Sequence, residues 1–443
     1  MGIVAFFIQS LLTAAAVNVF ATARFFDAGT VQTVLCFLAA AVWYMVFSIK
    51  PVMKTQPSRR IKTLKNGVRL LQVFLFSVTA SAALLVYLIW FSDMKTSDII
   101  LNTAVAAIFE FFLFWNGILR IYFTSVQLGI KWRVIGAVCG MIPLVNIAVL
   151  VRIIRITASE CRFECEKLEL DNIRAQSAVC STKYPILLVH GVFFRDFRFF
   201  NYWGRIPAAL KRNGAEIYYG NQQSAASVED SAKELAKRIE SIVRETGCEK
   251  VNVIAHSKGG LDSRYAVSRL GADKYVASLT TVNTPHRGCQ FAEYILGKVS
   301  DSFCRSVADK YNGALKKLGD ENPDFISAVK DLTVSRCEEL NKECPDVQGV
   351  YYQSVGSKSV NARGGKFPLN LSYHLVKYFD GDNDGLVSVS SMKWGANFTM
   401  LTPKGKRGIT HGDVIDLNRE NIKGFDVREF YVGIVKDLKE KGF

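Results

Sequence analysis

The sequence predicts an α/β domain built on a parallel sheet, preceded by an all-α domain of transmembrane helices. Three observations predict it. Apolar runs crowd the first third of the chain, strand-like and helix-like segments alternate from Tyr184 onward, and one short stretch, Lys250-Val-Asn-Val-Ile-Ala-His-Ser-Lys-Gly-Gly260, turns from β-branched residues through a serine into a glycine-led helical segment. Alternating strands and helices imply a parallel sheet covered on both sides, with its functional site at the carboxyl ends of the strands.

Length and charge agree with two or more domains. The chain has 443 residues, 49% of them hydrophobic, and a formal net charge of +15. Up to Thr157 there are fourteen Lys and Arg against four Asp and Glu, so most of the basic excess flanks the apolar runs. That is a membrane-flank pattern and gives no reason to invoke nucleic acid.

A helix needs roughly 20 apolar residues to cross a bilayer. Five runs approach that length: Ile3 to Ala23, Val31 to Ile49, Leu70 to Phe91, Ile99 to Phe123 and Val134 to Val151. Buried core helices are the alternative, but five runs in succession with polar clusters between them favour spans. The first has no basic flank or small-residue cleavage site and reads as a retained span. Lys50, Lys54, Arg59, Arg60, Lys62, Lys65 and Arg69 form a loop without acids that belongs in the cytoplasm. If the fifth run crosses, the rest of the chain lies outside, which is the expected placement in the cell membrane. That run contains Pro143 and Asn146 and precedes Arg152 and Arg155, so a re-entrant or interfacial hairpin is its alternative. Glu110, within the fourth run, is a functional candidate by its depth. A protonated or helix-to-helix hydrogen-bonded glutamate is the plainer reading, since the spans offer it no second acid or base.

The expected organisation is thus a transmembrane domain of about five helices at 1–157, a charged helical connector at 158–183 and a globular domain at 184–443. Eight cysteines from Cys161 onward are compatible with disulfides or with free thiols, and their spacing matches no metal pattern. Pro185 to Val189 and Glu216 to Tyr219 read as buried strands. Ser227-Val-Glu-Asp230 caps a helix whose face carries Leu235, Ile239, Ile242 and Val243, and Gly247 ends it. Val276 to Val282 and Val350 to Ser354 are further strands, and a last helix from Asp426 aligns Val427, Phe430, Ile434 and Leu438.

Chemistry enters at Ser257. Strand, tight turn and helix with a serine at the apex form a nucleophile elbow, which needs small residues two positions before and after; Ala255 and Gly259 serve. A serine hydroxyl needs a base to take its proton, and the base needs an acid to hold its tautomer. Of the five histidines, His190, His256 and His286 sit where side chains shape turns, and His374 precedes the acidic cluster. His411 follows the acids and fits the order serine, acid, histidine as base. The acid comes from Asp380-Gly-Asp-Asn-Asp-Gly-Leu-Val387. Asp384, leading into an apolar segment, is preferred, with Asp382 as the alternative. The string lacks the twelve-residue loop and closing glutamate of an EF-hand.

His190-Gly-Val, Ala255-His-Ser-Lys-Gly-Gly260, Thr284-Pro-His-Arg-Gly288, Asn383-Asp-Gly-Leu-Val387 and the late His411 together resemble the secreted bacterial triacylglycerol lipases of the Pseudomonas and Burkholderia type, over Tyr184 to Phe443. The resemblance implies an α/β-hydrolase fold, Ser257 as nucleophile, Asp384 as acid and His411 as base. It also implies an oxyanion hole from the backbone N–H groups of Val192 and Lys258. Those lipases hold a structural calcium between two aspartates near the catalytic histidine. Asp413 fits one, but no aspartate occurs around Ser357 to Leu369 for the other, so no cofactor is expected with calcium as the open possibility.

The family's lid region corresponds to 289–349, which here is charged and reads as an amphipathic cover or a solvated helical insert. Phe193 to Trp203 carries seven aromatics in eleven residues, placed to line an acyl pocket, dip into lipid or pack on the sheet edge. The expected function is a membrane-anchored ester hydrolase acting on lipid acyl esters, with the bilayer and an acyl-ester substrate as partners. An acyltransferase on the same fold and a non-catalytic membrane scaffold are the alternatives.

Overall fold

A computed structural model of the chain describes residues 3–49, 57–192, 201–298, 300–317, 320–402 and 405–443. Lys50, Lys54 and the aromatic stretch from Phe193 to Phe200 lie outside the described residues. The chain divides into two compact units, Met1–Leu170 and Asp171–Phe443.

The first unit is helical: α1 (Ile3–Val17), α2 (Val19–Phe25), α3 (Thr30–Ile49), α4 (Arg59–Phe91), α5 (Thr96–Thr124), α6 (Gly129–Cys139) and α7 (Val145–Arg174), the last spanning the division between the units. Two of these, α4 and α5, are long and apolar enough to cross a membrane. They cross where Gly67 meets Gly117. A Cβ on Gly67 would come within 2.9 Å of the Gly117 carbonyl, and one on Gly117 within 2.8 Å of Leu71. Paired small residues let the backbones approach, as helices packed in lipid require.

The first apolar run does not form one helix. It bends by 92° between α1 and α2, at Asn18. The break is held by side chains: Asn102 Oδ1 accepts the Ala21 N–H at 3.1 Å, Asn102 Nδ2 donates to Asn18 Oδ1 at 3.1 Å, and Asn18 Nδ2 donates to Ser81 at 2.8 Å. A buried backbone donor freed from its helix needs such a partner. Glu110 joins the same network by accepting from Ser77 at 3.1 Å and Ser81 at 2.8 Å, a bond from α5 to α4. The fifth run is also divided. Its helix stops at Cys139 and restarts at Val145, because Gly140 and Pro143 interrupt the ladder and Leu144 takes a left-handed φ of 64°. The expected outside placement depended on that run crossing as one span.

In the second unit six strands form one parallel sheet: β1 (Ile186–Val189), β2 (Ile217–Tyr219), β3 (Val251–His256), β4 (Val276–Val282), β5 (Tyr351–Ser357) and β6 (Phe398–Leu401), ordered β2-β1-β3-β4-β5-β6. Strand alternation sorts its apolar residues to two faces. Ile186, Leu188 and Ile254 pack with Trp203, Leu210 and Tyr431, whereas Leu187, Val189 and Val253 pack with Leu235, Ile239 and Ala266. The first face is covered by α8 (Ile206–Arg212) and α17 (Val427–Glu440), the second by α9 (Val228–Thr246) and α10 (Lys258–Arg269). Ser227 caps α9 by accepting the Asp230 N–H at 3.1 Å, and Gly247 ends it at φ 70°.

Between β4 and β5 lie α11 (Gln290–Lys298), α12 (Asp301–Lys317), α13 (Phe325–Lys330) and α14 (Val334–Glu343). After β5 come α15 (Leu369–Asp380) and α16 (Val389–Met392). A parallel sheet with helices on both faces, and a serine elbow after its central β3, makes this unit an α/β-hydrolase fold.

Candidate active site

Ser257 ends β3 at φ 56° and ψ −134°, a conformation that costs a non-glycine residue on the order of 1–3 kcal/mol. The surroundings hold it there. Its N–H continues the parallel ladder to the Val282 carbonyl at 3.0 Å, and its carbonyl accepts Gly260 N–H at 3.0 Å. The first turn of α10 passes so close to β1 that a Cβ on Gly259 would collide with the His190 carbonyl, and one on Gly260 with Thr284. This is why glycine follows the serine at +2 and +3.

His411 lies in a buried loop with its Nδ1 2.6 Å from Asp384 Oδ2, and its backbone N–H donates to the Asp384 carbonyl at 2.9 Å. Asp384 is fully buried and accepts three more bonds: Asn283 Nδ2 on Oδ2 at 2.7 Å, and the N–H groups of Leu386 and Val387 on Oδ1 at 2.9 and 2.8 Å. Asp382, the alternative acid, is exposed and paired with Lys358 at 2.7 Å. Ser257 and His411 both line a cavity of about 560 Å³. Its other walls are apolar, drawn from α11 to α13 (Phe291, Ile295, Val307, Phe325) and from Leu369 and Leu417. The insert therefore turns its apolar residues inward over the serine.

Val192 lines the same cavity. Lys258 does not, because its ammonium is buried on the far side against Asp262 at 2.7 Å and Ser231 at 3.1 Å. As the first residue of α10, its N–H has no acceptor within the helix.

Sequence reasoning missed two contributors. Asn283, just past β4, ties Asp384 to Ser357, to which it donates at 2.7 Å. Its φ of 49°, a region asparagine tolerates, is the only local signal. Tyr202 accepts the Gly191 N–H at 3.0 Å and lies 2.6 Å from His256 Nδ1. The His256 ring packs on His411, centroids 4.4 Å apart.

The remaining histidines have structural surroundings or none. His190 places its two ring nitrogens 2.8 Å from the Gly191 carbonyl and 3.0 Å from that of Gln222. His374 is exposed on α15. His286 stacks on Trp394 and bonds Thr281 at 3.0 Å. Burial, then the charge of His411, holds the His256 imidazole well below its usual range; burial, then Arg264 and Arg287, does the same for His286.

Unfolded, both histidines titrate near 6.5. Below that pH the unfolded chain binds protons that the folded one does not, so stability is complete above 6.5 and falls as pH drops toward the folded values. The loss approaches roughly 1.4 kcal/mol per pH unit for each histidine. Scanning calorimetry is expected to show the unfolding temperature of this unit falling between pH 6.5 and 5.5, above the range where most carboxylates titrate. A flat profile there would contradict the assignment of neutral histidines.

The residues do not fit calcium. Arg407 holds the Asp413 carboxylate in both hands, at 2.9 and 3.2 Å, and also donates to Glu420 at 2.8 Å. Thr410 N–H donates to the same Asp413 at 2.9 Å, fastening the loop that carries His411. Among the described residues no three acids, histidines or cysteines gather as a ligand set. Chelator treatment is expected to leave ester hydrolysis unchanged. Arg407→Ala strands a buried carboxylate at a cost of about 1–3 kcal/mol, read as an unfolding temperature lower by several degrees. An activity that disappears with EDTA and returns with calcium would overturn this. All ten cysteines are free thiols.

The family described as "Putative serine esterase (DUF676)" matches residues 217–319. A triacylglycerol lipase of Burkholderia plantarii is 30% identical over 39% of this chain and 51% of its own length, and one of Pseudarthrobacter phenanthrenivorans is 31% identical over 37% and 55%. The chain spans about half the length of these curated relatives. The crystal structure of mature Bacillus licheniformis lipase BlEst2 aligns with a TM-score of 0.41 and 23% identity, covering 54% of this chain and 88% of that one. The sequence matches relate this chain to the bacterial triacylglycerol lipases.

Proposed function

We propose that this chain is a membrane-anchored serine ester hydrolase that cleaves acyl esters of lipids through an acyl-enzyme. The observation that carries the reading is the Asp384–His411 pair at 2.6 Å, opening with the strained Ser257 into one apolar cavity. With Nδ1 donated to Asp384, His411 has its other nitrogen available to take the Ser257 proton as the hydroxyl attacks the ester carbonyl. The same nitrogen then returns the proton to the departing alcohol, and water repeats the sequence on the acyl-enzyme. The N–H groups of Val192 and Lys258 receive the oxyanion, each such donor contributing on the order of 10²–10³ in rate.

An apolar cavity bounded by Phe291, Ile295 and Val307 suits an acyl chain better than a charged head group. The relatives' substrates point the same way. Residues 1–157 would anchor the enzyme through α4 and α5, 158–183 would connect, and 184–443 would catalyse, with 289–349 covering the site.

The test is hydrolysis of p-nitrophenyl esters of short and long acyl chains by the purified full-length protein, beside labelling with a fluorophosphonate probe. Turnover of the long-chain ester with labelling at Ser257 is expected. Folded protein that neither turns over ester nor takes the probe would overturn the reading. Turnover of a thioester or ester only when an alcohol acceptor is supplied would replace hydrolysis by acyl transfer.

A further inference from the structure

The helical unit holds a second cavity, of about 890 Å³, among α1, α4 and α7. Its lining is two-sided. Lys65 and Arg69, one turn apart on the same face of α4, and Arg162 on α7 supply three cations, while Phe6, Phe7 and Val68 supply an apolar wall. Asn66 Oδ1 accepts Arg69 Nη2 at 2.7 Å, which sets the guanidinium's direction.

Two carboxylates, Glu166 and Glu169, also border the cavity, but both are exposed, whereas Arg69 is only 9% exposed and Lys65 is half-buried. Charges out of water act at lower effective dielectric than charges in it, so the buried Arg69 and half-buried Lys65 weigh more than the exposed Arg162, Glu166 and Glu169. Arg120, which donates to Asn116 at 2.6 Å, adds a further cation in electrostatic reach of Arg69.

The cavity's place along α4 supplies the rest. It spans the turns from Lys65 to Gln72, where the basic segment of the helix gives way to the apolar run beginning at Leu70. In a bilayer this is the level at which head groups meet acyl chains. A site lined by both cations and phenylalanines matches an amphiphile with a negatively charged head.

We propose that this cavity binds the phosphodiester head group of an anionic phospholipid, with its acyl chains along Phe6 and Phe7. Soluble phosphates share the head-group chemistry and would leave the apolar wall uncovered. The inference is independent of the ester-hydrolase reading, since none of these residues borders Ser257.

The test is native mass spectrometry of the full-length protein in detergent, titrated with phosphatidylglycerol, phosphatidylcholine and glycerol 3-phosphate. Phosphatidylglycerol is expected to be retained at least tenfold over phosphatidylcholine, with glycerol 3-phosphate failing to displace it. Arg69→Gln and, separately, the more exposed Arg162→Gln should each weaken that preference by about fivefold. An unchanged helical circular-dichroism signal and a single elution peak in detergent report that both variants are folded. Equal retention of the two lipids, an undiminished preference in folded Arg162→Gln, or full displacement by glycerol 3-phosphate would overturn the proposal.

Discussion

Ser257→Ala is expected to lower kcat for ester hydrolysis by about 10⁶, to the residual level set by binding and the oxyanion donors. The expectation rests on what the elbow preserves. Alanine keeps the Cβ that packs beside Gly191 and retains the ladder bond to Val282, so only the attacking oxygen is removed. His411→Ala should cost nearly as much, and the double variant no more than either alone, because the two groups act as one unit. Kinetics on a soluble ester, with unfolding temperatures for each variant, reads this directly. More than about one part in a hundred of the activity surviving in a folded Ser257→Ala protein would be incompatible with the assigned nucleophile.

Asp384→Asn should be the next most damaging change, lowering kcat by about 10⁴ while KM moves little. All four bonds to the Asp384 carboxylate come from donors: His411, Asn283, Leu386 and Val387. A carboxamide has only one acceptor oxygen, so it must turn its NH₂ either to the two backbone N–H groups or to His411 and Asn283. The second arrangement satisfies the backbone and donates to His411 Nδ1, forcing the proton onto the nitrogen that must accept one from Ser257. Recovery of activity at high pH would separate a tautomer fault from collapse of the loop, which no pH would restore. A tenfold loss or less would mean that Asp384 orients His411 without setting its tautomer.

The parts of this site legible in the sequence are those written in local pattern. The apolar run Ile186 to Val189 and the β-branched run from Val251 mark buried strands, and the Ala255 to Gly259 spacing states that the backbone bends at Ser257. Serine, acid and histidine follow in chain order. What is not legible depends on partners far away in the chain. Asn283 matters because Asp384 arrives beside it, and Tyr202 because Gly191 and His256 flank its hydroxyl. Asp413 looks like a metal ligand until Arg407 is seen on it, and guanidinium and calcium meet the same carboxylate. In the helical unit, hydropathy locates apolar runs but is blind to where they break. Asn18 and the 140–144 turn are set by side-chain partners and by glycine and proline, which a window average smooths away.

The position of α17 has a consequence for synthesis. Val432, Val435 and Tyr431 of this helix seal the sheet face formed by Ile186, Leu188 and Ile254, and the Phe443 carbonyl accepts the Lys183 N–H at 2.8 Å, joining the end of the unit to its beginning. On the ribosome β1 and β3 emerge long before α17. At roughly 5–20 residues per second, the interval from Ser257 to Glu440 is on the order of ten seconds or more, during which that apolar face has α8 but lacks the α17 half of its native cover. Nascent chains stalled before Val427 should therefore be held by chaperones and cleaved readily by protease, and become resistant only once α17 has cleared the exit tunnel.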